Sequence, residues 1–294
     1  MQRDRVNKRY LPDAAFPDSL TASADLAFCV QEPHDILISV PSHALRETLV
    51  AVKPYLQSGD RISWASKGFE LSTGKLPHQV ANEVVEPGRR KAVLSGPTFA
   101  KEVGDGLPTA MTVASEDSDY ALEMAQALTC DGFRAYTSDD IIGVEVGGAV
   151  KNVLAIGAGM SDGLGFGANT RIALITRGLV EMTRLGVALG ANAATFMGLA
   201  GMGDLVLTCT DNLSRNRRMG LALAAGKSRD EAQEEIQQVV EGVMASVAVR
   251  DVAQAHNVEM PICNQVYRIL HEGVSPKEAV AALLSRDIGP EIEL

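Results

Sequence analysis

The stretch Gly147–Asn169, with the sequence GGAVKNVLAIGAGMSDGLGFGAN, decides how the rest of the chain is interpreted. Its small and aliphatic residues predict a buried helix in which Lys151 is the one cation. A lysine is almost never fully buried unless it is paired. Each glycine costs a helix roughly 1 kcal/mol relative to alanine, so the glycines indicate close approach of another backbone or of a ligand. The stretch therefore predicts either a site for a small anionic substrate or a tightly packed helix pair whose lysine reaches solvent.

Upstream of this helix, short apolar runs alternate with amphipathic stretches. Such alternation is typical of an α/β domain with a mainly parallel sheet that helices cover on both faces. The predicted strands are 36–40, 61–65, 92–95, 109–114 and 133–136, and the predicted helices between them are 43–56, 76–85 and 119–128.

From about Ser138 onward the strand signal stops and helical periodicity takes over. Asp140 and its two predecessors offer an N-cap for the long helix through Lys151, and Asn169 offers one for the next helix. Ser228 and Ser275 each begin a capping-box pattern. We therefore expect two domains, a sheet domain over 1–137 and an all-helical domain over 138–294.

Composition and charge restrict the class of protein. The net charge of −10 argues against a nucleic-acid surface, so a phosphorylated substrate would have to be held by local positive charge. The four cysteines are far apart, which predicts reduced and mostly buried thiols. No apolar run of about 18 residues and no charged-then-apolar leader occur, which predicts a cytoplasmic protein without membrane insertion.

Candidate binding residues follow two of the predicted strands. Ser95–Lys101 and Lys67 both lie at carboxyl ends of strands, where open parallel sheets bind their ligands. Gly96 permits close approach, and Thr98 offers a hydroxyl and a cap for the next helix. A plain strand-to-helix turn and a solvated lysine remain the alternatives.

Further candidates lie in the helical half. Ser214–Arg218 opens a helix with three arginines beside free backbone N–H groups, which suits a phosphate holder or else a solvated basic turn. Asp204 lies in an apolar surround and could pair with Lys151, either as a structural pair or as a pair that tunes the lysine for proton transfer. The histidines are scattered, so neither a Ser-His-Asp arrangement nor a metal site is predicted.

These motifs together resemble the signature of the NAD(P)-dependent glycerol-3-phosphate dehydrogenases of bacteria. The resemblance runs in order from the first residues to about residue 285. It is carried by 148–169 and by five shorter motifs, which are Trp64–Gly68, Ser95–Ala100, Gly203–Leu205, Ser214–Asn216 and Val239–Gly242. It implies reduction of dihydroxyacetone phosphate to sn-glycerol 3-phosphate by NADH or NADPH, for phospholipid synthesis, with a small molecule as the partner. A homodimer is one assembly that the resemblance leaves open.

The resemblance also implies a role for each matched residue. Lys151 would donate and accept the proton at the C2 oxygen of the substrate, beside Asp204 as the second catalytic residue. The implied substrate contacts are Lys67, Gly96, Thr98, Lys151, Asp204, Ser214, Arg215 and Asn216. The implied cofactor contacts are Lys67, Ala100, Arg215, Val239 and Glu241.

One departure from the family pattern is large. The strand, Gly-x-Gly-x-x-Gly turn and helix that hold the pyrophosphate do not occur here, so the Rossmann-type sheet is expected to be N-terminally incomplete. We expect a truncated form that binds NAD(P)H poorly. The alternatives to this function are a non-catalytic remnant that binds a phosphorylated triose but not the cofactor, and a related hydroxyacyl-CoA or 6-phosphogluconate dehydrogenase.

Overall fold

The structure is a computed structural model that describes residues 1–31 and 35–291. Its contacts divide the chain into two compact units. The first consists of Met1–Ser66 and His78–Asp139, and the second of Lys67–Pro77 and Asp140–Leu294. The division at residues 137 and 138 stays a prediction. Sequence reasoning did not foresee that the short segment Lys67–Pro77 groups with the helical unit.

A five-stranded sheet forms the centre of the first unit. Its strands are β3 (Asp35–Ile38), β4 (Arg61–Trp64), β5 (Lys91–Ser95), β6 (Thr109–Ala114) and β7 (Phe133–Ser138). They lie in sequence order, and every pair is parallel except β5 with β6, which is antiparallel. The prediction of a mainly parallel, Rossmann-like sheet followed by helices is confirmed.

One face of this sheet packs against α5 (Ser118–Leu128). The buried side chains of Leu94 and Val113 contact Tyr120 and its neighbours on the helix. Alternate residues of a strand point to opposite faces, so Leu94 packs against the helix while Ser95 points to the other face. Asp117 caps α5 by accepting a hydrogen bond from the Tyr120 N–H at 3.0 Å.

The N-terminal segment contains an antiparallel pair of strands that sequence reasoning missed. It joins β1 (Val6–Asn7) to β2 (Leu11–Ala15). The remaining helices of this part of the chain are α1 (Leu26–Cys29), α2 (Leu45–Val52), α3 (Pro77–Val84) and α4 (Ala100–Gly104), and 3-10 turns at Ser42–Ala44 and Lys53–Tyr55 flank α2.

The regular elements of the second unit are all helices over its described residues. Its helices are α6 (Ile141–Gly163), α7 (Ala168–Ala188), α8 (Asp204–Thr210), α9 (Arg215–Ala224), α10 (Arg229–Ile236), α11 (Glu241–Ala255), α12 (Pro261–His271) and α13 (Pro276–Leu284). A 3-10 turn at Ala193–Met197 and a π-helical turn at Leu199–Gly203 precede α8. Ser228 and Ser275 form the predicted capping boxes of α10 and α13.

The predicted caps of α6 and α7 have different outcomes. Asp140 caps α6 as expected, because its carboxylate accepts a hydrogen bond from the Gly143 N–H at 2.8 Å. The expectation that Asn169 caps α7 is wrong: Gly167 is the N-cap, and Asn169 lies in the first turn. Ile172 belongs to the helically spaced apolar residues of α7, yet it is 58% exposed.

The glycines of α6 make room for neighbouring backbone. A Cβ on Gly159 would collide with the carbonyl oxygen of Arg217 in α9, and a Cβ on Gly147 would collide with the carbonyl oxygen of Ala200. The packed-helix alternative therefore explains these two glycines. Close approach lets α6 lie at the centre of the unit, where Lys151 binds Asp204 and Thr208 of α8.

The helix α6 is also long and apolar enough, by length and composition, to cross a membrane, and it alone among the described residues has these properties. In the fold it is 94% buried over its most apolar window. Its hydrophobicity is accounted for by the protein interior, as is usual for a core helix.

None of the four cysteines, all of which lie in the described residues, forms a disulfide. Cys209 and Cys263 are buried, whereas Cys29 and Cys130 are exposed, so the expectation of mostly buried thiols is correct for two of them only. Burial raises the pKa of the Cys209 thiol to about 12.

Candidate active site

Lys151 and Asp204 form a buried ion pair in the second unit. Lys151 lies near the middle of α6, and Asp204 is the first residue of α8. The lysine Nζ donates to Oδ1 of the aspartate at 2.5 Å, and the two side chains are 10% and 2% exposed. The pairing that the sequence suggested is present, and it supplies the partner that a buried lysine requires.

Lys67 binds the other oxygen of the same carboxylate. Its Nζ lies 2.8 Å from Oδ2 of Asp204, and its side chain is 20% exposed. The alternative of a solvated lysine is therefore wrong. Two ammonium groups share one carboxylate, so this cluster carries a net positive charge in a largely dry place, which suits an anionic ligand.

The pKa of Lys151 reflects this environment. Burial first and the charge of Lys67 second lower the pKa to about 8, while Asp204 opposes the shift. For Asp204, burial alone would raise the pKa, but Lys151 and Lys67 hold it below its ordinary value. The lysine can thus exchange a proton near neutral pH while the aspartate stays ionised.

Thr208 completes the surroundings of the lysine, and sequence reasoning missed it. Its Oγ1 accepts a hydrogen bond from Lys151 Nζ at 3.1 Å and donates one to the carbonyl oxygen of Asp204 at 2.6 Å. The signal was the spacing, because residues four apart share one face of a helix. Thr208 fixes the direction of the lysine ammonium group.

The candidate phosphate holder lies at the start of α9. Ser214 caps this helix by accepting a hydrogen bond from the Arg217 N–H at 3.2 Å, and Arg215 in the first turn is half-buried. Asn216 is buried and points inward: its Nδ2 donates to Oδ1 of Asn152 at 2.9 Å, and its Oδ1 accepts from the Gly242 N–H at 2.9 Å. Asn216 thus joins α9 to α6 and α11.

The three arginines of this turn have different environments. Arg217 is buried, with its Nη2 2.6 Å from Oδ2 of Asp162 and its Nη1 donating to Asn212. The expectation that all three could hold phosphate is therefore wrong for Arg217, because its guanidinium is committed to these partners. Arg218 is exposed, which leaves Arg215 as the best-placed cation.

The two remaining candidates of the helical unit lie where α11 begins. Val239 is 54% exposed, and Glu241 is half-buried. Glu241 Oε2 accepts a hydrogen bond from Nδ2 of Asn152 at 3.3 Å. Glu241 is thereby joined to the residue that follows Lys151.

The candidates of the first unit lie just after β5. Gly96 is required by packing, because a Cβ there would lie 2.9 Å from Cα of Met111. Thr98 does not cap the next helix as expected: its hydroxyl is directed to the Gly96 carbonyl at 3.4 Å, and Phe99 is the N-cap of α4, which begins at Ala100. Ser95 has a buried hydroxyl with no hydrogen-bond partner among the described residues.

Two family models match the sequence, one over each half of the chain. The model described as the N-terminus of NAD-dependent glycerol-3-phosphate dehydrogenase matches residues 1–121, and the model of its C-terminus matches residues 140–281. The chain belongs to this dehydrogenase family. Membership confirms the prediction of an oxidoreductase that acts on a CH–OH group.

Individual relatives agree with the family assignment. Glycerol-3-phosphate dehydrogenase [NAD(P)+] of Aeromonas hydrophila is 57% identical over 288 residues, which are 98% of this chain and 86% of the relative. The same dehydrogenase of Serratia proteamaculans is 55% identical over 97% of this chain and 85% of its own length. The predicted cofactor class, NAD(P)H, is the one that the names of these relatives carry.

Solved structures of the family share the fold. The crystal structure of glycerol-3-phosphate dehydrogenase from Coxiella burnetii has a TM-score of 0.94 and 48% identity, and covers 97% of this chain and 87% of its own. The enzyme of Saccharomyces cerevisiae gives 0.83 at 27% identity, over 94% of this chain and 82% of its own. The prediction of the family is confirmed.

Proposed function

We propose that this dehydrogenase reduces dihydroxyacetone phosphate to sn-glycerol 3-phosphate with NAD(P)H, and that Lys151 is its general acid and base. The observation that carries the proposal is the Lys67–Asp204–Lys151 cluster, in which a buried lysine has a pKa of about 8. A carbonyl that accepts a hydride develops negative charge on oxygen, and an ammonium group nearby both stabilises that charge and supplies a proton.

Asp204 and Lys67 would prepare the lysine for this step. Asp204 holds the Nζ of Lys151 on one side and the Nζ of Lys67 on the other. The lysine is thus oriented, while the charge of Lys67 keeps its proton labile. In the reverse direction, neutral Lys151 would accept the hydroxyl proton of sn-glycerol 3-phosphate, as microscopic reversibility requires.

The phosphate group would be held at the start of α9. The first-turn N–H groups of a helix and a half-buried arginine together favour an anion, and an arginine fork can bind two oxygens. Ser214, Arg215 and Asn216 are the proposed residues here. Gly96 and Thr98 of the first unit stay proposed substrate contacts on the resemblance alone.

The cofactor would supply the hydride, and the chain contributes residues that hold it. The buried Ser95 hydroxyl lies at the carboxyl end of a strand and has no hydrogen-bond partner within residues 1–31 and 35–291, which fits contact with a bound polar group. The proposed cofactor contacts are Lys67, Ala100, Arg215, Val239 and Glu241. Among them, Ala100 and Val239 are exposed, as a contact with an added ligand requires.

The wider role follows from the product. A phosphorylated glycerol is the backbone of glycerophospholipids, so we propose a function in their synthesis, in the cytoplasm, with the triose phosphate as small-molecule partner. We propose the sheet domain 1–137 for the dinucleotide and the helical domain 138–294 for substrate and catalysis. A homodimer is the proposed assembly, and its mass in solution tests it.

Oxidation of NADH and of NADPH, followed at 340 nm with dihydroxyacetone phosphate, tests the proposal. Replacing the catalytic ammonium in Lys151→Met should lower kcat by about 10²–10⁴-fold, the range for loss of a general acid. Lys227→Met is the matched control, because this lysine is exposed and pairs with Glu235 of α10. Turnover that survives Lys151→Met within tenfold would contradict the role of the lysine, and absence of wild-type turnover at saturating cofactor would contradict the proposed activity.

A further inference from the structure

A second buried ion pair lies where α6 ends. The side chains of Asp162 and Arg217 are 11% and 10% exposed, and Arg217 Nη2 lies 2.6 Å from Oδ2 of Asp162. Arg171 of α7 also reaches this carboxylate, with its Nη1 3.1 Å from both oxygens. One carboxylate therefore ties α7 and α9 to the end of α6, and the proton chemistry does not use it.

Arg217 has contacts that Arg171 lacks. Its Nη1 donates to Oδ1 of Asn212, and its backbone N–H donates to the hydroxyl of Ser214. Both partners belong to the loop between α8 and α9. This loop connects α8, whose first residue is Asp204, to the start of α9, where the phosphate is proposed to bind.

The pair also links the start of α9 to the helix that carries Lys151. Asp162 lies eleven residues beyond Lys151 on the same continuous helix, which is roughly 16 Å of rise. The helix is rigid over this length because it is buried on all sides and packs closely on α9 at Gly159. The distance from the ammonium of Lys151 to the start of α9 thus depends on where Arg217 binds, together with the hydrogen bond from Asn216 to Asn152.

We infer that Asp162 and Arg217 are positioning residues that set the place of Ser214–Asn216 relative to Lys151, and hence the grip on the phosphate end of the substrate. This inference rests on the proposed function. Buried ion pairs contribute little to net stability, so a role in geometry accounts for this one better than a role in folding.

The test compares Arg217→Gln with Arg171→Gln. Each removes one cation from Asp162, but only the first also releases Asn212. Arg217→Gln should raise KM for dihydroxyacetone phosphate at least tenfold and leave the pKa of the kcat profile in place, because Lys151 keeps its partners. Arg171→Gln should lower Tm and change KM by less than twofold.

Two further variants keep the test decisive if Arg217→Gln fails to fold. Arg217→Lys keeps a positive charge beside Asp162 but loses the guanidinium group, which binds Asp162 and Asn212 at the same time. Asn212→Ala removes only the side-chain oxygen on the loop that accepts from Arg217. Each should raise KM by about threefold or more, with kcat nearly unchanged. Equal losses of Tm in the two arginine variants with KM unchanged throughout would overturn the inference and leave a purely structural pair.

A binding measurement separates this inference from the proposed function. Calorimetric titration with sn-glycerol 3-phosphate needs no turnover, so it gives a result even if the wild type does not reduce the triose. Affinity at least tenfold weaker in Arg217→Gln than in Arg171→Gln supports positioning. Equal affinities in the two variants overturn it, whatever the activity assay gives.

Discussion

Lys151 Nζ and Asp204 Oδ1 are 2.5 Å apart in a pair that is almost completely buried. The pair joins the middle of α6 to the first residue of α8, fifty-three positions later in the chain. The carboxylate could have made the lysine a stronger base, but burial and Lys67 outweigh it. The balance among these three effects has measurable consequences.

The pH profile should report Lys151. With a pKa lowered to about 8, the ammonium form needed for reduction is lost as pH rises, so kcat for dihydroxyacetone phosphate should fall above about pH 8. Oxidation of sn-glycerol 3-phosphate needs the neutral amine and should fall below about pH 8. We therefore expect kcat to change with pH in opposite senses for reduction and oxidation. The same pH dependence in both reactions would contradict a single group that acts as acid and base.

Lys67→Met should move both pH dependences to higher pH. The charge of Lys67 lowers the pKa of Lys151, so its removal lets that pKa rise. The loss of a charged contact to substrate should also lower kcat/KM by about 10- to 100-fold, since hydrogen bonds to charged groups contribute about 1.5–3 kcal/mol. Lys75→Met, on the same segment, is the control and should leave both pH dependences in place. A profile of Lys67→Met identical to that of the wild type would disprove the electrostatic role.

Glu181 should make stability depend on pH. Its carboxylate caps α12 from α7 by accepting the N–H groups of Ile262 at 2.6 Å and Cys263 at 3.1 Å. Burial nevertheless raises its pKa to about 7. A carboxyl whose pKa is higher in the folded state than in the unfolded chain stabilises the fold. This contribution is fully present at pH values below the unfolded pKa, and it is lost as the pH rises through about 7.

The comparison with Glu181→Gln measures this effect. The stability of the wild type relative to the variant should decline between about pH 5 and pH 8, by up to about 3 kcal/mol. Urea unfolding at several pH values gives the difference directly. A difference that stays constant over this range would contradict the prediction.

Gly159→Ala should destabilise the helical unit. The added Cβ would meet the carbonyl oxygen of Arg217, which is backbone and cannot move aside easily. Overpacking of this kind costs about 1–3 kcal/mol, and Tm should fall accordingly. Gly167→Ala is the control, because nothing lies within 4 Å of its Cβ position, and it should cost less than about 1 kcal/mol. Equal effects of the two changes would show that Gly159 is not needed for packing.

Local patterns in the sequence determined much of the architecture. The alternation of apolar runs and amphipathic stretches gave the five strands of the main sheet and its mainly parallel order. Capping residues such as Asp140, Ser228 and Ser275 act on their own helices, so their spacing suffices to find them. The pairing of Lys151 with Asp204 was inferred because each charge lies in an apolar surround.

Other features were decided by residues that are far apart in the chain. Lys67 shares the carboxylate of Asp204 across 137 positions, and Asn216 binds Asn152 across 64. No spacing rule relates such pairs. Sequence reasoning consequently left a solvated lysine open as the alternative for Lys67. It did not find Thr208, which acts on Lys151 only because α8 lies beside α6.

The glycines of α6 show most directly what the sequence determines and what it leaves open. The sequence by itself determined that something approaches this helix closely, because glycine in a helix is costly unless its missing side chain is used. It could not determine what approaches, since a ligand and a backbone carbonyl exclude a Cβ equally well. Only the tertiary structure places the carbonyl of Arg217 against Gly159, because that contact depends on how α6 and α9 pack and not on the local preferences of either helix.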